Sequence, residues 1–171
     1  MTFLERLGEQ SSGTATLYLL GGSALCLLGN PRSTLDVDYD LDVPGGTVAE
    51  FRALVDRLAA DMQLDLELVR LHEFVPIPPD ASQRRRLVGQ FGPLAVYIFD
   101  LYSIALSKIA RGFEADIEDV MFLLEERLIE FSELERLFQA VLPDARNTDI
   151  VPSDFQAYFD EVRHRQLGLT S

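Results

Sequence analysis

One stretch of nine residues constrains this chain more than any other. LDVDYDLDV, from Leu35 to Val43, carries an aspartate at every second position. A β-strand has a side-chain period of two, so Asp36, Asp38, Asp40 and Asp42 would share one face while Val37, Tyr39, Leu41 and Val43 share the other. The second face is core. The first is a ladder of like charges built from a poor strand former, a pattern that strand stability alone disfavours. A bound divalent cation reverses that argument, because hard cations such as Mg²⁺ take oxygen ligands and supply the missing counter-charge. The plainer alternative is an edge strand whose outer face is solvated.

The residues just upstream favour the first reading. An apolar strand, Thr16 to Leu20, runs into Gly21-Gly22-Ser23 and then into a helix-compatible stretch, Ala24 to Leu28. Backbone N–H groups at such a helix start suit a phosphate, so Gly21, Gly22 and Ser23 are candidate nucleotide-binding residues. An EF-hand is excluded: counted from Asp36 or Asp38, the sixth position is Leu41 or Val43 where glycine is needed, and the twelfth is Thr47 or Ala49 where glutamate is needed. A dinucleotide-binding Rossmann turn is excluded too, because GGSALCLLG lacks the G-x-G-x-x-G spacing.

Gly21-Gly22-Ser23 followed after twelve residues by Asp36-Val37-Asp38 resembles the signature of the DNA polymerase β-like nucleotidyltransferase superfamily. Arg32-Ser33-Thr34 before the acidic strand is similar to the R-x-T/S-x-D form of its bacterial branch of AbiEii-type toxins and DUF6036-like proteins. SKIARGFEADIEDV, from Ser107 to Val120, resembles a later lysine- and aspartate-bearing block of the same branch. The resemblance implies an α/β (α+β) fold, a small mixed β-sheet core with packed helices. It implies Mg²⁺-dependent transfer of a nucleoside monophosphate from an NTP to a hydroxyl acceptor on RNA, protein or a small molecule. Asp36 and Asp38 would bind one or two Mg²⁺ ions, with Arg32 near the phosphates and a third carboxylate from the neighbouring strand. Either Asp65 or Glu67, on the alternating stretch Leu64 to Leu71, fits that third role, and we carry Glu67 forward. The resemblance also gives Lys108 to the nucleotide and Asp116 to the active site, although Ala115 stands where the branch has arginine. Its two-gene systems imply a toxin–antitoxin or defence role, with a protein partner. The competing reading is a catalytically silent domain of this fold that acts as a protein-binding module.

The rest of the chain supports one α/β unit over residues 1–100 and a helical portion over 101–171. A short amphipathic helix with Phe3, Leu4 and Leu7 opens the chain, and Thr47 with Glu50 marks the capped start of a helix over 48–62. Two strands, 84–90 and 94–99, flank Phe91-Gly92-Pro93 as a hairpin. Asp100 caps the next helix, which ends at Gly112, and on it Lys108 lies by period beside the apolar stripe, where its ammonium must snorkel or meet an anion. Ser132 with Glu135 and Ser153 with Gln156 read as capping boxes of two further helices, 133–141 and 154–166. His72 and His164 stand singly, at no ligand spacing, and read as surface residues. The formal net charge is −13 among 171 residues, which opposes nonspecific attraction to nucleic acid. Arg84, Arg85 and Arg86 are therefore the first candidates for a phosphate or RNA contact. Cys26 is the sole cysteine and reads as a small buried hydrophobe. A charged start and the lack of any apolar run of membrane-spanning length give the cytoplasm as the expected compartment.

Overall fold

The computed structural model describes residues 2–32 and 36–169, with the backbone alone at Leu169. It is a mixed α/β structure, as expected, and divides into two compact units: Met1–Val69 with Arg85–Phe99, and Arg70–Arg84 with Asp100–Ser171.

In chain order the first unit contains α1 (Phe3–Gln10), β1 (Ala15–Leu19), α2 (Gly21–Leu27), β2 (Val37–Asp42), α3 (Val48–Met62) and β3 (Leu66–Leu68). Thr2 opens α1 with a reciprocal capping box to Glu5. Thr47 opens α3 by accepting a hydrogen bond from the Glu50 amide. The strand expected over 64–71 is shorter than its alternating pattern, because a short helix, α4 (Leu71–Phe74), begins soon after it. That helix belongs to the second unit.

The first unit is completed by β4 (Arg86–Phe91) and β5 (Leu94–Ile98), joined through Gly92 at φ 57°. The five strands form one sheet in the order β3-β2-β1-β5-β4. The pairs β1–β2 and β4–β5 are antiparallel, whereas β1–β5 and β2–β3 are parallel. Alternation decides the faces: Leu17, Leu19, Tyr39, Leu41, Leu94, Val96 and Ile98 are buried, with Leu7 of α1 and Phe51, Val55 and Leu58 of α3 in the same core. A Cβ at Gly8 of α1 would lie 2.1 Å from the Phe91 carbonyl oxygen, so glycine is what admits this close approach.

The second unit is helical. Beyond α4 and a 3₁₀ turn at Ala81–Gln83 it contains α5 (Leu101–Arg111), α6 (Glu114–Glu125), α7 (Phe131–Val141), a 3₁₀ segment at Leu142–Asn147 and α8 (Pro152–Leu169). Phe138 of α7 stacks on Phe159 of α8 at 4.0 Å between centroids and meets Phe155 edge-on at 4.8 Å. Gly112 ends α5 in the left-handed conformation at φ 67°, with Tyr158 close above it.

Two expected capping boxes are replaced. The seventh helix begins at Phe131 after Glu130, which makes no side-chain cap, and the eighth at Pro152; Ser132 and Ser153 therefore lie inside their helices. Cys26 is half-buried and not fully enclosed, with its thiol 3.0 Å from the Arg32 carbonyl. His72 and His164 are exposed, as expected. Among the described residues no helix is long and apolar enough to cross a membrane.

Candidate metal centre

The acidic ladder is resolved by sheet register. Because β3 runs parallel to β2, Asp38 is paired with Glu67 and their side chains leave the same face. The Val37 amide bonds to the Asp65 carbonyl at 2.8 Å, which fixes Asp36 beside the entry to β3. One carboxylate oxygen from each of Asp36, Asp38 and Glu67 then falls within 4.8 Å of the other two. Asp65 is not in that group. Asp40 is drawn away, accepting the Leu41 amide on Oδ1 at 2.8 Å, and Asp42 is exposed at the strand end.

At such separations two like charges repel by about 4 kcal/mol at the effective dielectric of a protein surface, so three convergent carboxylates need a counter-charge. The donors are all hard oxygens, the set that Mg²⁺, Mn²⁺ or Ca²⁺ prefers over softer metals. Asp36 and Asp38 are half-buried and Glu67 is exposed, so the cluster opens to solvent on the Glu67 side.

The glycine turn upstream is built around the second aspartate. The Leu20 amide donates to the Asp38 carbonyl at 2.9 Å, which ties the end of β1 to β2. Gly21 follows at φ 53°, and a Cβ there would lie 1.9 Å from Asp38 Oδ2. Glycine is thus required twice at this position, by its backbone conformation and by the carboxylate against it. Gly22 continues the first turn of α2, a helix of seven residues. Ser23 is buried and its hydroxyl donates to the Leu20 carbonyl at 2.9 Å, so it braces the turn from inside. Arg32 is exposed, with its amide on Asn30 Oδ1; Ser33 and Thr34 of the same motif, and Leu35 at the expected strand start, lie outside the described residues. Behind the acidic face, burial pushes the Tyr39 phenol up to about 12. Among the described residues its hydroxyl finds no hydrogen-bond partner.

In the second unit Lys108 is 3% exposed, and its ammonium donates to Asp116 Oδ1 at 3.1 Å and Asp119 Oδ2 at 2.6 Å. Arg111 adds Nε to Asp116 Oδ2 at 2.9 Å and Nη2 to Asp116 Oδ1. Of the two roles open to Lys108, the anion it meets is supplied by the next helix of its own unit. Asp119 is the second carboxylate of that ion cluster.

The three arginines have three different settings. Arg84 forms a bidentate pair with the fully buried Asp100, 2.8 Å in each arm, and the same carboxylate caps α5 through the Tyr102 and Ser103 amides. Donating to the Asp100 carboxylate holds the Arg84 guanidinium above its usual range. This pair gives Arg84 a structural role at the start of α5. Arg85 lies over the Tyr97 ring at 4.5 Å and donates to the Tyr18 hydroxyl at 2.9 Å. Arg86 is exposed at the start of β4. Sixteen residues separate Arg84 from Asp100, and no local spacing announces that contact.

A strand that turns through glycine into a short helix, followed by an acidic strand with a further carboxylate on its parallel neighbour, describes a nucleotidyltransferase core. Residues 2–164 match the family described as nucleotidyltransferases of unknown function, DUF6036, and the chain belongs to that family. No curated protein and no solved structure matches it.

Proposed function

We propose that this protein moves a nucleoside monophosphate from an NTP to a hydroxyl acceptor, using one or two Mg²⁺ ions held by Asp36, Asp38 and Glu67. The observation that carries the proposal is the convergence of these three carboxylates, Asp38 and Glu67 from two parallel strands and Asp36 from the residue before the first of them. Bound Mg²⁺ would neutralise phosphate charge and favour departure of pyrophosphate from the α-phosphorus. The residues themselves do the positioning. Asp36 lies immediately before β2 and Asp38 on it, and Glu67 closes the set from the neighbouring strand. Gly21 keeps space beside Asp38 that a side chain would fill. Gly22 and Ser23 follow in the turn, and Arg32 is the exposed cation nearest in sequence to Asp36.

The net charge of −13 weighs against a polynucleotide acceptor held by charge alone, and is compatible with a small-molecule or protein hydroxyl, including a basic protein partner in a two-gene toxin or defence system. Lys108 and Asp116, already bonded to each other, enter this proposal as a structural pair.

The test is calorimetric titration of each NTP, with and without Mg²⁺, into wild type, Asp38→Asn and Glu67→Gln. Metal-dependent binding in wild type that both variants lose supports the assignment, to be followed by a search for acceptors with labelled NTP. Binding unaffected by either variant, or no binding to wild type, refutes it and favours a fold retained as a protein-binding module.

A further inference from the structure

Arg85 is placed by the sheet as part of the carboxylates' own surface. Tyr18 of β1 is paired with Asp40 of β2, and Tyr97 of β5 with Tyr18, so these side chains leave the face that carries Asp38 and Glu67. Arg85 lies on that face, stacked on Tyr97 and hydrogen-bonded to Tyr18.

Register also puts it at the same end of the sheet. Arg86 is paired with Ile98, Ile98 with Leu19 and Leu19 with Tyr39. One residue further along each strand, Arg85, Phe99, Leu20 and Asp38 form a row, which Glu67 extends. Three strand spacings separate the backbones of Arg85 and Asp38, roughly 14 Å. The Arg85 side chain shortens that gap, since its Nη1 reaches inward across β5 to the Tyr18 hydroxyl on β1.

Arg84 is neutralised by Asp100, whereas Arg85 is exposed and makes no ion pair among the described residues, in a protein with 28 acidic residues. Its guanidinium lies over one ring and is anchored through a single N–H, which leaves further N–H groups for a second acceptor. A planar, pre-oriented guanidinium facing outward matches phosphate oxygens in a bidentate manner.

We infer that Arg85 binds the polyphosphate end of the nucleotide, the part that departs as pyrophosphate, while the carboxylate cluster lies at the other end of the same row. The inference rests on the proposed nucleotide site and names a further residue of it. Tyr18 and Tyr97 are positioning residues that fix the guanidinium before substrate arrives, so little ordering entropy is lost on binding.

The experiment measures Mg²⁺–NTP affinity by calorimetry and Mn²⁺ affinity by electron paramagnetic resonance in wild type, Arg85→Gln, Arg85→Lys and Asp38→Asn. A charge-assisted hydrogen-bond pair is worth roughly a tenfold to hundredfold change in affinity. Arg85→Gln is expected to weaken NTP binding at least tenfold with Mn²⁺ affinity unchanged, Arg85→Lys to recover part of the loss, and Asp38→Asn to lose both. NTP affinity within twofold of wild type in Arg85→Gln overturns the inference alone, if wild-type binding needs the metal and Asp38. Equal loss of Mn²⁺ affinity in Arg85→Gln also overturns it, because that is a disturbed fold. Absence of NTP binding to wild type overturns both this inference and the function on which it rests.

Discussion

Replacing Lys108 with Met separates a structural lysine from a substrate-binding one. The side chain is 3% exposed, and its two partners, Asp116 and Asp119, are 3% and 2% exposed. Met keeps most of the aliphatic volume and removes only the charge and its donors, so packing is nearly preserved. Asp116 retains Arg111, but Asp119 loses a 2.6 Å charge-assisted bond in a site with little access to water. Removing one partner of a buried ion pair costs about 3–5 kcal/mol, because the remaining charge stays desolvated. For a chain of this length each kcal/mol lowers Tm by about 2–4 °C, so the expected fall is roughly 6–20 °C. Circular dichroism during thermal and urea unfolding reads this directly. The double variant Lys108→Met/Asp119→Asn should be less destabilised than the sum of the two single changes, since both substitutions remove the same Lys108–Asp119 bond. A Lys108→Met protein that unfolds within about 1 kcal/mol of wild type yet fails to bind Mg²⁺–NTP would refute this reasoning and return the lysine to the nucleotide.

Two further perturbations test the glycine turn and the core behind it. Gly21→Ala places a methyl group 1.9 Å from Asp38 Oδ2 in a left-handed backbone, which costs about 1–2 kcal/mol from conformation alone; Mn²⁺ affinity should fall together with Tm, and unchanged metal affinity would show that Asp38 is not a ligand. Tyr39→Phe removes a buried hydroxyl that has no hydrogen-bond partner among the described residues and is expected to raise stability by up to about 1 kcal/mol at neutral pH. Burial raises the Tyr39 phenol from 10.0 to about 12, so the folded form holds its proton longer than the unfolded one. Stability from this group is complete below pH 10 and is lost as pH rises towards 12, and urea unfolding across that window should show the loss in wild type and not in Tyr39→Phe. A stability decrease in Tyr39→Phe would mean that the hydroxyl is bonded.

The three arginines show how identical residues in series acquire separate roles. Arg84 is consumed by a carboxylate that also caps a helix, so its loss would be felt in stability. Arg85 is held by two aromatic side chains and keeps its charge facing outward. Sequence offers no way to divide them, because the division depends on which strand ends and which helix begins beside each one.

Much of the fold was legible because it follows from short-range periodicity and end signals. Alternation in Val37–Asp42, the apolar run of Leu94–Ile98, Thr47 before α3, Asp100 before α5 and Gly112 after it are local signals carried by neighbouring residues. Boundaries failed where a second choice was available nearby, as at Ser132 and Ser153, where Phe131 and Pro152 already lie within the helices. The acidic strand likewise drew four aspartates forward through charge repulsion, and the family resemblance narrowed them to Asp36 and Asp38.

Tertiary structure decided which groups meet. Parallel pairing of β2 with β3 selected Glu67 over Asp65, since register and not composition sets which carboxylate stands beside Asp38. Folding of α6 against α5 turned Lys108 inward onto Asp116 and Asp119, where a buried ammonium is stable only with anions at hand. The need for glycine at position 21 is a contact seventeen residues away in sequence, visible only when Asp38 is folded over it. Local sequence determines helices, strands and caps because those energies are summed over adjacent residues; the site is decided by sheet order and register, which bring distant charges together.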